Sequence, residues 1–305
     1  MKEKLQEFEL YRQQVCKKAN TFLWIGILCL VLGFVLLFVF SNAIGENTDV
    51  GAVFIIPIII SIIFFVINSS MKNKINQKFK NEFVFQLVKS IYPNAVYNPG
   101  AGISKDVIME AGFFQYPDRW QLEDYLSCSH EGVEFEMSDF EFQERHVTRD
   151  SKGHTRVTYI TYAKGRFMIF DFKRDFTKVV KILENTPYGC KLGGLEKVET
   201  ESIEFNEKFK TFSTDAMTAF YVLTPQIQLK LLELESKFKG SIYFAFMRGK
   251  LYVAITDGVS ILDIDASKKI SEKTIEILES QLLLPVAIIN ELGLSKDKYS
   301  TGDAI

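Results

Sequence analysis

Two short constellations in this sequence combine residue types capable of chemistry. Cys128 and His130 stand two apart, so on a strand they share a face. A thiol beside an imidazole is the pairing that activates a sulfur nucleophile. No third group is identifiable to orient that imidazole, and packing or turn chemistry accounts for both residues equally well. Asp118 and Arg119, between Pro117 and Trp120, form a charged pair able to hold a polar ligand. The same pair serves just as well as a local ion pair or cap in a turn. The other two histidines, His146 and His154, flank a polar loop and read as surface residues.

Three histidines in 305 residues restrict metal binding and acid–base catalysis. The sequence contains no GxGxxG after a strand, no GxxxxGK[ST], no HExxH, no GxSxG and no calcium loop. No metal ligand set and no cofactor are expected, and catalysis is the less favoured class. Asp215 precedes a helix start and reads as a cap. Phenylalanines alternate with charges over residues 170–176, a pattern able to stack single-stranded bases, but Asp171 and Asp175 dilute the basic charge. With 36 Lys and Arg against 38 Asp and Glu, the chain shows no electrostatic footprint for nucleic acid. Twenty-seven phenylalanines and twelve tyrosines would suit either an apolar ligand pocket or an aromatic core, and the core is the plainer reading.

The elements that must position these residues begin with a membrane anchor. Residues 22–40 read FLWIGILCLVLGFVLLFVF, nineteen residues without a charge. As a helix they span roughly 28 Å, close to the hydrocarbon thickness of a bilayer. Residues 51–67, GAVFIIPIIISIIFFVI, form a second such run, with Pro57 a candidate kink. A cleavable signal peptide would have a shorter apolar core and a small-residue cleavage site. The sequence therefore predicts a transmembrane hairpin over 21–68 (21–40 and 51–68), preceded by a cytoplasmic segment, 1–20. Lys2, Lys4, Arg12, Lys17 and Lys18 lie before it, and Lys72, Lys74, Lys78 and Lys80 after it. The connection over 41–50 carries Glu46 and Asp49 and no basic residue. That asymmetry predicts both termini on the cytoplasmic side, with the four lysines facing an anionic leaflet. Widely spaced Cys16, Cys29, Cys128 and Cys190 fit a reducing compartment.

After the membrane, Ile75, Phe79, Phe83, Leu87 and Ile91 recur every four residues, predicting an amphipathic helix over 71–92. A cytosolic α+β domain is expected over 105–293, mostly antiparallel and covered by helices, with a possible lobe boundary near 185–195. Lys105 to Ala111 reads as a short helix. Val133, Phe135 and Met137 alternate with polar residues as a strand, continuing through Phe140 and Phe142. A loop is expected over 146–155, then strands over 156–163 and 166–172, and short strands over 196–206 and 208–213. Thr224 and Pro225 open a helix. Strands over 241–247 and 251–255 flank an Arg248-Gly249 turn, with a third over 259–264. The last helix runs from Ser271 to Leu292, with Pro285 as a break and Gly293 as its end. Residues 294–305 read as a flexible tail.

Several blocks carry a resemblance. They are GFFQYPDRWQLEDYLSCSHEGVEFEMSDFEF at 112–142, KGRFMIFDFKRDF at 164–176, LEKVETESIEFNEKFKTFSTDAMTAFYVLTPQIQLKLLELE at 195–235, and IYFAFMRGKLYVAI at 242–255. Over roughly 75–293 the chain resembles a bacterial membrane-protein family catalogued as a domain of unknown function. The third block is the most specific part. Phe205, Phe209, Phe212, Ala219, Leu223, Thr224 and Pro225 match the recurrent pattern. The resemblance implies an N-terminal anchor and a cytosolic α+β region, and it carries over no catalytic or binding residue. Three functions compete. The first is a non-catalytic interaction or scaffold domain at the bacterial cytoplasmic membrane, with a protein partner or self-association beside the bilayer. The second is a membrane-tethered domain for lipid or a small hydrophobic ligand, and the third an enzyme with an unrecognised site.

Overall fold

A computed structural model describes residues 2–43, 51–151, 153–171, 178–260 and 262–295. The expected connection at 44–50, the phenylalanine–charge run beyond Asp171 and the tail from 296 onward lie outside the described residues. The chain divides into two compact units. One comprises the chain up to Val84 together with Asp263–Glu276, and the other Phe85–Leu262 together with the chain from Ile277 onward.

The first unit is a helical hairpin of α1 (Lys2–Ala43) and α2 (Gly51–Phe79). Both helices are long and apolar enough to cross a membrane. Trp24, Leu28, Phe34, Ile56 and Val66 stay more than half exposed along them, as a lipid-facing girdle requires. Small residues set the approach of the helices. A Cβ on Gly26 would lie 3.2 Å from the Phe64 Cβ, and one on Gly33 3.1 Å from the Pro57 Cβ. Helix α2 passes through Pro57 unbroken. The expected 71–92 helix is instead the end of α2, a π-helical turn at Lys80–Val84, and α3 (Phe85–Ile91).

The segment Asp263–Glu276 belongs to this first unit, which its sequence does not announce. The Ala266 carbonyl accepts from Arg12 Nη1 at 2.7 Å and from Cys16 Sγ at 2.9 Å. Ile270 N donates to Glu9 Oε2, and Asn76 Nδ2 donates to Asp263 Oδ1 at 2.6 Å. Arg12 also binds Glu9 through two nitrogens, at 2.6 and 2.8 Å. That pairing, outside the apolar run, holds the Glu9 carboxyl well below the usual carboxylate range.

In the second unit, nine strands form one antiparallel sheet among the described residues. They are β1 (Val96–Asn98), β2 (Arg119–His130), β3 (Val133–Arg149), β4 (Thr155–Asp171), β5 (Val180–Leu183), β6 (Glu196–Val198), β7 (Lys210–Ser213), β8 (Ser241–Met247) and β9 (Lys250–Thr256), in the order β1-β2-β3-β4-β9-β8-β5-β7-β6. Residues 185–195 carry no strand and connect β5 to β6 of the same sheet. Strand β4 is continuous where two strands were expected. Residues 203–208, read as strand, form α5 (Ile203–Lys208), capped by the Ser202 hydroxyl. No strand follows β9 among the described residues of 259–264.

One face of this sheet packs an aromatic core with the loop after α4 (Lys105–Glu110). Phe113, Phe114, Phe140, Phe142 and Phe167 are at most 2% exposed. Ring centroids lie 4.9 Å apart for Phe140–Phe142 and 5.3 Å for Phe114–Phe140. The aromatic residues thus fill the interior against one another. On the other face Phe135 meets Tyr92 and Phe244 meets Phe209. Helices α6 (Ala216–Val222), α7 (Pro225–Glu235), α8 (Glu272–Leu282) and α9 (Leu284–Leu292) complete the fold. Asp215 and Thr224 cap α6 and α7 through their side chains, and Gly293 ends α9 in the left-handed region, as the sequence predicts.

Candidate interaction surface

The residues singled out for chemistry do not converge. Cys128 and His130 lie at the end of β2, opposite Phe135 and Val133. The Cys128 thiol donates to the carbonyl of its own neighbour, Ser129, at 3.5 Å. Asp118 and Arg119 stand at the opposite end of the same strand, about 30 Å away by the rise of an extended chain. Asp118 Oδ2 accepts from Arg145 N at 2.8 Å, and its own N–H bonds to the Gln143 carbonyl at 3.0 Å. The Arg119 guanidinium lies over the Tyr159 ring at 5.6 Å. Both residues of that pair therefore buttress the base of a projecting β-ribbon.

The lysines after the second apolar helix also part company. Lys74 is exposed and Lys72 half-buried, whereas Lys80 is buried with its ammonium 2.6 Å from Asp263 Oδ1. Lys78 sits over the Tyr11 ring at 3.9 Å. Lys80 is thus committed inside its own unit and does not add to a cationic surface.

The ribbon is the part of β3 and β4 that outruns its neighbours. Strand β2 stops pairing with β3 at Arg119↔Gln143, and β9 stops pairing with β4 at Arg166↔Ile255. Beyond those points the two strands pair only with each other, from Gln143↔Thr161 to Arg149↔Thr155. The departure is made possible by Gly165, whose φ of 156° sits beside a backbone approach that a Cβ would obstruct at the Ile255 carbonyl oxygen. Next to it, Arg166 is 1% exposed, donates to Gln281 Oε1 at 2.8 Å, and lies 3.8 Å from Asp257. Burial lowers its pKa to about 10, with Asp139 and Asp257 opposing the fall, so the guanidinium stays charged at neutral pH. Lys164 and Glu141 pair across the strands at 2.8 Å, which pulls the Glu141 carboxyl down. Paired charges thus hold both sides of the ribbon's base.

Cross-strand partners share a face, and one face holds Arg145 with Tyr159, Val147 with Val157, and Arg149 with Thr155. Val147 is 50% exposed, Val157 41% and Tyr159 44%. Apolar side chains flanked by arginines, on an extended ribbon with open edges, are suited to binding another chain. The polar composition of 146–155 hid this element from the sequence reading. The signal was present in the alternation of Arg145, Val147 and Arg149, matched on the far side by Thr155, Val157 and Tyr159.

No curated protein matches this chain. Among solved structures it is similar to the crystal structure of the mycobacterial trehalose monomycolate transport factor A, TtfA, at 7% identity and a TM-score of 0.35. That alignment covers 68% of this chain and 92% of the other, and a likeness of that size carries no argument about function. The resemblance blocks at 164–176, 195–235 and 242–255 fall inside a family match, and the block at 112–142 lies outside it. Residues 161–294 match the family described as Protein of unknown function (DUF3137).

Proposed function

We propose that this chain is a non-catalytic interaction module anchored in the bacterial cytoplasmic membrane. Its two apolar helices hold it in the bilayer with both termini in the cytoplasm, a reading supported by basic residues at both outer ends of the hairpin. The observation that carries the proposal is the β3–β4 ribbon, which sets Val147, Val157 and Tyr159 among arginines on a face that no other strand covers among the described residues. Side chains placed that way contribute nothing to the core, and a partner surface gives them a role. The mutual packing of the core phenylalanines favours this reading over a ligand cavity. The separation of Cys128–His130 from Asp118–Arg119 argues against one catalytic cleft.

The test is site-specific photo-cross-linking in native membranes. A photo-reactive residue at Val157 is expected to give a discrete protein-sized adduct that the same probe at Lys230 does not give. An adduct with lipid alone, or none, overturns the reading.

A further inference from the structure

Resting on that reading, we infer that the occupant of the ribbon is a second copy of this chain, docked through its acidic sheet edge. The sheet ends at β6, one side of which pairs with β7 while the other pairs with no strand among the described residues. This strand, α5 and the connection between them carry Glu196, Glu199, Glu201, Glu204 and Glu207, all exposed, around Ile203, which is 76% exposed. The platform is firm. Asn206 accepts from the Thr200 N–H and hydroxyl at 3.0 Å and donates to the Thr200 carbonyl at 2.7 Å. Val198 and Phe205 are buried beneath it.

Charge selects this occupant. Residues 144–160 carry four Lys and Arg against two Asp and Glu, and residues 196–208, from β6 to the end of α5, carry five Glu against two Lys. Ribbon against ribbon would set Arg145 and Arg149 of one copy against the same residues of the other, which like-charge repulsion opposes. Ribbon against acidic edge matches sign with sign, and Val147 and Val157 with Ile203. A charged edge strand repels indiscriminate pairing and stays open to a surface of opposite charge. Because the two surfaces differ, the contact is heterologous, and copies join head to tail.

The test uses the full chain in mild detergent, read by native mass spectrometry across a concentration series. Wild type is expected to show species above the monomer that recede as salt is raised. R145E/R149E is expected to lose them, and E201K/E204K likewise. Mixing these two variants, or combining all four changes in one chain, is expected to restore them. All positions are exposed, so an unchanged melting temperature for each variant confirms that the fold is kept. A monomeric wild type, or assembly that survives E201K/E204K, overturns self-docking. If the Val157 cross-link is lost in R145E/R149E but kept in E201K/E204K, the ribbon remains an interaction surface for another acidic occupant. If neither variant changes the cross-link or the assembly, both readings fail.

Discussion

Within the single hairpin of β3 and β4, the half inside the sheet and the half beyond it are built to different rules. Inside, Phe135, Phe140, Phe142, Phe167 and Phe170 are at most 2% exposed and meet rings from neighbouring elements. Outside, Val147, Val157, Tyr159 and Ile160 are at least 41% exposed, and arginines replace the aromatic neighbours. The boundary is crossed in two steps, β9 leaving β4 at Arg166 beside Gly165 and β2 leaving β3 at Gln143. Burial in the first half serves stability. Exposure in the second half is what the proposed interaction uses, and under that proposal substitutions in the two halves have opposite profiles.

The largest effect is expected from Phe140→Ala in the inner half. Losing the ring and leaving a cavity beside Phe114 and Phe142 costs about 3–5 kcal/mol, measurable by chemical denaturation of the detergent-solubilised chain. Gly165→Ala strikes the boundary. With a positive φ and the Ile255 carbonyl in the way, it is expected to destabilise by more than about 1 kcal/mol in the same assay.

A smaller effect sharpens the boundary through pH. Lys164 draws the Glu141 carboxyl below its ordinary 4.5, so its contribution is complete above that pH and is lost as pH falls toward the folded value. Glu141→Gln is expected to flatten the acid limb of the stability curve by about 0.5 kcal/mol, the pair being partly exposed. The smallest effect on stability belongs to the outer half. Val147→Ser with Val157→Ser is expected to stay within about 0.5 kcal/mol of wild type for each change while abolishing the Val157-side cross-link, read with the probe moved to Tyr159.

Much of the fold was legible because its signals are local. Two uncharged apolar runs predict the helical hairpin. The alternation at Val133, Phe135 and Met137 predicts the core of β3, and Arg248-Gly249, with φ of 52° and 70°, is the tight turn between β8 and β9. Thr224 before Pro225, and Gly293 after Leu292, mark helix ends by side-chain chemistry alone. What was not legible depends on contacts distant in sequence. Asp263–Glu276 has strand-like residues at its start, yet it is held by Arg12, Cys16 and Asn76, which no local pattern can indicate. Residues 203–208 carry apolar residues compatible with strand, and the Ser202 cap decides for helix. Strands expected separately over 156–163 and 166–172 are one strand, because Gly165 lets β4 pass close to β9 without a break. Hydrophilic composition predicts a loop over 146–155, whereas the alternation of Arg145, Val147 and Arg149 is the signal that matches the ribbon.

The central claim is that the outer half of the hairpin exists for binding, and one measurement addresses it most directly. Native mass spectrometry of the full chain in a single mild detergent compares wild type with V147S/V157S at matched concentration. The expected result is a defined higher-mass species in wild type and a monomer with unchanged melting temperature in the variant. A higher-mass species that persists undiminished in V147S/V157S would contradict the account.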